Sequence, residues 1–372
     1  MRAQDLLLST YEKVSFSLRA LYSQYGYTQY KMSKFEEYDL YARNKDFLIS
    51  DKVITFTDLS GKLMALKPDV TLSIVKNSID EPDSLQKLYY AENVYRATKG
   101  AYAYKEIMQV GLECMGNVDD YCLCEVLTLA AKSILTISDK ALLNISNLGF
   151  LSDMIDGIGI VGRGKTQVIR YIGQKNYHEL SALCRGLNIE EEKISKFLQI
   201  LTTTGEPETV LPKVCRLASD IVDVTPVKQL LRVIQAIGDD AVKNIIQVDF
   251  SVVDDLHYYN GLVFKGFVQG LPQSVLSGGQ YDKLMRKMNR RSNAIGFAVY
   301  MDMLERLNVD NESYDVDVVL IYEDGALPAE LRRCVDKLIA EGNRVMAQQK
   351  IPHNIRYRQL MKYADGEVLT LE

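Results

Sequence analysis

Strand signals fill the first part of this chain, stop near residue 150 and return near residue 246. Between them the apolar residues recur at helical spacing. EEEKISKFLQIL opens with acids, as the first turn of a helix should, and TPVKQLLRVIQAIG carries Pro226 in its first turn and stops at Gly238. Residues 150–243 are therefore read as a helical insertion. That reading constrains the fold more than any motif does, because a sheet begun before the insertion has to be completed after it.

The flanks supply the strands. Leu7, Tyr11, Val14, Leu18, Leu21 and Tyr22 predict a helix over 3–24, ending before Gly26. KVITFTD and KLMALKPDVT read as a hairpin around Leu59-Ser60-Gly61, and SLQKLYYAENVYR and YKEIMQVGLECMG as antiparallel partners across ATKGAYA. Residues 118–137 have helical spacing. Beyond the insertion, Ile246, Val248, Phe250 and Val252 alternate with Gln247, Asp249 and Ser251, which predicts a strand through NIIQVDFSVV. A polar linker, NVDNESYD, follows Leu307. A β-α-β-α-β pattern closes the chain as DVVLIY, LPAELRRCVDKLIAEG, RVMAQ, NIRYRQLMKYA and EVLTL. The expected class is α+β: a core over 1–310 that holds the insertion, then a small α/β domain over 316–372.

Several function classes lose support at once. A net charge of -5 gives no overall electrostatic footprint for nucleic acid. No apolar run approaches membrane-spanning length, and MRAQDLLLSTYEKV lacks a signal-peptide core, so a cytoplasmic protein is expected. The six cysteines are scattered, and Cys122 and Cys124 have the wrong spacing for a zinc knuckle, so reduced thiols are expected. His178 and His353 have no companions at metal-ligand spacing. Asp254, Asp255 and His257 crowd into four residues whose side chains would alternate between strand faces, and no metal or cofactor is expected. GIVGRGKT, Gly159 to Thr166, satisfies the phosphate-loop pattern, and GIGIVG the dinucleotide one. Both require a strand immediately before the glycines. Here Leu148, Leu151, Met154, Ile155 and Ile158 have helical spacing, so the glycines are read as joining two helices.

The segment Lys105 to Cys114 says more. In a strand, Met108, Val110, Leu112 and Cys114 share an apolar face, and Lys105, Gln109, Gly111 and Glu113 share the other. A polar strand face most often meets solvent. Against that stands convergence: KPDVT adds a carboxylate beside a proline-fixed turn, and HYYNG and LSGGQYD set tyrosines next to glycines. Carboxylates, an amide and phenols around small residues suit a small zwitterion with an amino group and a second polar end.

These motifs, taken in order, resemble the catalytic core of class II aminoacyl-tRNA synthetases, specifically the histidyl-tRNA synthetase family. FTDLSGKLMALKPDVTLSIVK is similar to that family's hairpin and Arg-Pro-Glu-x-Thr turn, and NVYRATKGAYAYKEIMQVGLECMG to the strand-loop-strand of motif 2. LHYYNGLVF resembles the histidine-specific Arg-Gly-Leu-Asp-Tyr-Tyr signature. VLSGGQYDKL and AIGFAVYMDML resemble the glycine-rich strand and motif 3. The resemblance implies an antiparallel sheet flanked by helices. It implies Asp69 and Gln109 at a ligand's α-amino group, Glu113, Tyr258, Tyr259 and Tyr281 around an imidazole, and Thr71 supporting the carboxylate turn.

The departures from the family pattern point away from synthesis. Asp254-Asp255 stands where the signature has Arg-Gly, His257 where it has Asp, and Tyr300-Met301-Asp302-Met303 where motif 3 carries an arginine. Arg96 is kept in the motif 2 region, yet the Glu-Arg-Pro-Gln run is missing, and Ser33 replaces a proline in motif 1. Adenylate formation needs cations on the phosphates of ATP, and losing one such donor lowers the rate roughly a hundred- to a thousand-fold. Arg96, Lys105 and Asp254 are thus implied to be remnants of a nucleotide side. A synthetase-like core with a histidine pocket and no ATP chemistry resembles the regulatory-subunit family of ATP phosphoribosyltransferase. The resemblance implies a short catalytic chain as partner, L-histidine as effector, a dimer within a hetero-oligomer, and no role for tRNA. The small C-terminal domain resembles a truncated anticodon-binding domain. A divergent histidyl-tRNA synthetase and a histidine or tRNA sensor with another partner are the competing readings.

Overall fold

The structure, a computed structural model, describes residues 8–48, 53–81, 84–97, 103–253, 258–308, 314–364 and 367–371. Ser9–Leu307 forms one compact unit, and Asn308–Glu372 belongs to a second. The larger unit contains strands β1 (Thr28–Gln29), β2 (Phe35–Glu37), β3 (Thr55–Thr57), β4 (Leu63–Leu66), β5 (Leu85–Ala97), β6 (Tyr104–Gly116), β7 (Ala141–Asn147), β8 (Ile246–Val248), β9 (Leu262–Val268), β10 (Leu276–Gln280) and β11 (Asn293–Tyr300). Eight of these make a sheet in the order β1-β5-β6-β11-β10-β9-β7-β8. Its six inner strands are antiparallel, whereas β1 beside β5 and β8 beside β7 run parallel. The remaining three form a small antiparallel sheet, β2-β4-β3.

Strand β6 keeps the expected parity. Val110, Leu112 and Cys114 are fully buried on one face, in the same core as Val126, Leu127, Leu129, Ala130 and Ile134 of the helix Asp120–Ile137. Asp119 starts that helix by accepting the Cys122 amide at 2.9 Å. The helical insertion lies between β7 and β8, from the helix Leu148–Gly157 to Asp240–Asn244. Its apolar stripes, such as Ile194, Phe197, Ile200 and Leu201, join the same core as the sheet. The first half of GIVGRGKT, Gly159 to Gly162, joins two helices, as its preceding residues predict. Gly159 and Gly162 take positive φ values of 99° and 62° before the helix Arg163–Gly173, and Lys165 donates to Asp156 at 2.7 Å.

Three expectations are corrected. The first described helix is Thr10–Gln24, begun where the Ser9 amide donates to Glu12 at 2.8 Å; residues 3–7 of the expected helix lie outside the described residues. The strand after the insertion ends at Val248. There Asp249 accepts from both the amide (2.9 Å) and the hydroxyl (2.6 Å) of Ser251, turning the chain while Phe250 and Val252 stay buried. The alternation continued in the sequence, but a turn rather than a pleat buries the later residues.

The third correction concerns the smaller unit, which consists of β12 (Val316–Tyr322), the helix Pro328–Ala340, β13 (Val345–Gln348), β14 (Tyr357–Ala364) and β15 (Glu367–Thr370), in sheet order β13-β12-β14-β15. The second helix of the expected pattern is strand β14, parallel to β12. Its two buried residues, Leu360 and Tyr363, are three apart, which imitates a helical face. In the strand they sit on opposite sides of the sheet.

Candidate functional site

The polar face of β6 opens into a cavity of about 570 Å3. The antiparallel register sets Gln109 between Glu92 and Tyr300, Gly111 between Tyr90 and Ala298, and Glu113 between Leu88 and Gly296. The cavity is lined by Asp69, Thr71, Gln109, Glu113, Tyr258, Tyr259 and Tyr281, so all seven residues implied for an amino-acid ligand come together. Arg96 lines it as well. Lys105 does not; it forms an ion pair with Asp302, in the turn after β11. Asp254, Asp255 and His257 lie outside the described residues.

Glu113 lies at the deep end, 2% exposed. Both carboxyl oxygens accept hydroxyls, from Thr71 at 2.6 Å and from Tyr281 at 2.7 Å. Thr71 is thus a direct partner of Glu113 as well as part of the turn. Burial pushes the Glu113 carboxyl up to about 8, against the two hydroxyl bonds, and Asp69 adds to the rise. The side chain fits because residue 296 is glycine, where a Cβ would lie 1.8 Å from a Glu113 oxygen. Gly111 has a parallel role: a Cβ there would lie 2.5 Å from the Tyr90 hydroxyl and 2.2 Å from the Phe297 carbonyl oxygen.

Asp69 stands where the chain enters the helix Thr71–Asn77, and its Oδ1 accepts the Leu72 amide at 2.8 Å. Burial raises its pKa, and the Leu72 bond and the charge of Arg96 oppose the rise. The short acid therefore caps a helix with one oxygen while it faces the cavity. The tyrosines form a wall: the Tyr258 ring centroid is 4.8 Å from that of Tyr259 and 6.0 Å from that of Tyr281. Burial raises the pKa of Tyr90, Tyr258 and Tyr281, which keeps them as neutral hydroxyls. Phe47 closes against Tyr258 at 6.1 Å.

Sequence reasoning missed Asp46, Phe47, Tyr90, Ser277 and Tyr300 as lining residues. Tyr90 and Tyr300 could have been found from the same parity argument once the register of β5, β6 and β11 was known. Asp46 and Phe47 carry no local signal, because a short turn far from β6 brings them in. The arrangement can hold a small ligand bearing an ammonium group and a hydrogen-bonding ring, since the buried carboxyls of Asp69 and Glu113 and a set of phenols face one space. Among the described residues no group of His, Cys, Asp or Glu could hold a metal ion, and no helix is long and apolar enough to cross a membrane.

Comparison with known proteins shows which family the chain resembles. The family profile described as histidyl-tRNA synthetase matches residues 5–304. A protein of Bacillus thuringiensis named ATP phosphoribosyltransferase regulatory subunit is 26% identical over 90% of this chain and 81% of its own length. One of the same name from Oceanobacillus iheyensis is 26% identical over 75% of this chain and 69% of its own. Among solved structures, an ATP phosphoribosyltransferase regulatory subunit/histidyl-tRNA synthetase from Bacillus halodurans superimposes with a TM-score of 0.73 at 22% identity, covering 94% of this chain and 91% of that one. A chain of the ATP phosphoribosyl transferase (HisG:HisZ) complex from Thermotoga maritima gives 0.61 at 18% identity, over 79% and 98%. The fold is that of the class II aminoacyl-tRNA synthetases.

Proposed function

The chain belongs to the histidyl-tRNA synthetase family, and from that premise we propose that it is the non-catalytic regulatory subunit of an ATP phosphoribosyltransferase. In this role it activates a short catalytic subunit and senses L-histidine for feedback inhibition. The observation that carries the reading is a contrast between the two ends of β6. At the amino-acid end, Gln109, Glu113, Thr71 and the tyrosines line one cavity. At the other end, the lysine of β6 is neutralised by Asp302, which occupies the segment where a synthetase has its motif 3 arginine. A phosphate there would meet a carboxylate, and two like charges 4 Å apart repel by about 4 kcal/mol at moderate dielectric. The names of relatives 26% identical over 90% of the chain support the same role.

On this reading histidine binds with its ring at Glu113 and its ammonium group toward Asp69 and Gln109. Inhibition is linkage: histidine prefers one state of the assembly and shifts the population toward it. The subunit self-associates as a dimer within the hetero-oligomer. The test is formation of phosphoribosyl-ATP by the catalytic subunit mixed with the wild-type chain or with Glu113→Gln. Wild type should activate and confer inhibition by histidine. The variant should still assemble and activate but need roughly ten- to a hundred-fold more histidine. Overlapping inhibition curves would place the sensor elsewhere, and no complex on size exclusion would remove the partner. Histidine-dependent exchange of pyrophosphate into ATP by the chain alone would favour a divergent synthetase instead.

A further inference from the structure

Asp46 lines the cavity although its side chain is 78% exposed, so it stands at the mouth, whereas Glu113 is at the deep end. Phe47, the next residue, is 8% exposed and packs inward against Tyr258. The backbone bonds that shape this turn are local: the Phe47 amide donates to Asn44 and the Leu48 amide to Lys45, each at 3.0 Å. A tie to the rest of the pocket comes from Lys287, 241 residues further along the chain. Its ammonium lies 2.8 Å from an Asp46 carboxylate oxygen and 5.1 Å from the centre of the Phe47 ring. One cation thus holds two consecutive residues of the turn, by charge and by ring. Lys287 ends the helix Asp282–Lys287, and Tyr281, the residue before that helix, donates to Glu113. The same short helix therefore reaches both the deep end and the mouth.

We propose that Lys287 is a positioning residue for this pocket: acting through Asp46 and Phe47, it holds the turn across the mouth and sets how fast a ligand enters and leaves. The inference rests on the histidine reading of the cavity and adds a determinant outside its described lining residues. A partly exposed ion pair and a single cation–ring contact are each weak in water. Together they favour the closed turn without locking it, as a site that has to follow a changing histidine concentration requires. Lys287 touches the turn and not the ligand, so its loss raises the open population of free and bound protein alike. Entry and release then quicken by the same factor, and affinity stays where it was. A residue that only shaped the pocket would weaken affinity through release alone.

The chain contains no tryptophan, so Phe47→Trp places a single fluorescent reporter in the turn. Acrylamide quenching and stopped-flow mixing with L-histidine test the assignment in this background, alone and with Lys287→Met or Lys287→Arg. NMR exchange measurements on histidine give the rates for the same Lys287 variants without the reporter. Lys287→Met should increase quenching and speed association and dissociation together by roughly three- to tenfold, with affinity kept within about twofold. Lys287→Arg should keep the original rates, and added salt should speed exchange only where the cation is present. Unchanged quenching and rates in Lys287→Met would overturn the assignment and leave the histidine site standing. Faster dissociation with unchanged association would reduce Lys287 to a structural support, which also overturns it. Increased quenching in Lys287→Met, in a protein whose wild type binds no histidine, would uphold the cover and remove histidine as its ligand.

Discussion

Glu113 and Lys105 stand on the same face of β6, eight residues or roughly 26 Å apart along the strand. The two ends have settled their charges differently. Glu113 is buried, and hydroxyls of Thr71 and Tyr281 satisfy both of its oxygens. Lys105 is 44% exposed and meets a full opposite charge in Asp302. Hydroxyl partners leave a carboxyl able to exchange a bond with an incoming ligand. An ion pair supplied from within the chain satisfies the cation without one. On the proposed function, the contrast would let one strand keep a binding site at one end and lose another at the other end.

The sharpest way to expose the difference is pH. In the folded chain the Glu113 carboxyl holds its proton up to about 8, and in the unfolded chain only to about 4.5. Between those values the folded state binds the extra proton. The associated stability is complete below 4.5 and disappears as pH rises through 8. Thermal melts of the ligand-free protein should fall between pH 5 and pH 9 by an equivalent of a few kcal/mol, on the order of 1.4 kcal/mol per unit of displacement. Glu113→Gln should flatten that slope. A wild-type slope in the variant would break the comparison at its deep end. Gly296→Ala should have the next largest effect, because its methyl group would meet both a Glu113 oxygen and the Leu112 carbonyl oxygen, at 1.8 and 2.5 Å. Chemical denaturation should report a loss of roughly 1–3 kcal/mol, with histidine binding abolished; wild-type affinity would mean that Glu113 can move aside. Lys105→Met should do least. It removes a partly exposed pair and should change stability by less than about 1 kcal/mol, with no effect on histidine affinity. A large affinity loss would show that the two ends are not independent.

The reading of β6 from sequence was accurate because strand parity is local: once the segment is a strand, Gln109, Gly111 and Glu113 must share a face. The misplaced phosphate loop was legible for the same reason, since helical spacing up to Ile158 already excluded a strand before its glycines. Local rules failed where a competing partner decided the outcome. The capture of Ser251 by Asp249 ended a strand whose apolar alternation ran on. In β14, burial on both sides of a sheet produced the spacing of a helix. The pairing of Lys105 with Asp302 spans 197 residues, and no periodicity reports a contact of that range.

The order of strands in the sheet also sets a schedule. The partner of β6 on its second edge is β11, which begins at Asn293, roughly 180 residues after β6 ends at Gly116. A ribosome adding about 5–20 residues per second takes roughly 10–40 s to cover that distance. Throughout that interval the hairpin of β5 and β6 is available with one edge unpaired, the condition in which strands recruit the wrong neighbour. Thr71 is synthesised early enough to meet Glu113 at once, whereas Tyr281 and Gly296 arrive only near the end of the wait. During synthesis the deep end of the cavity is therefore among the last parts of the core to become complete, and until then Glu113 sits on an open edge.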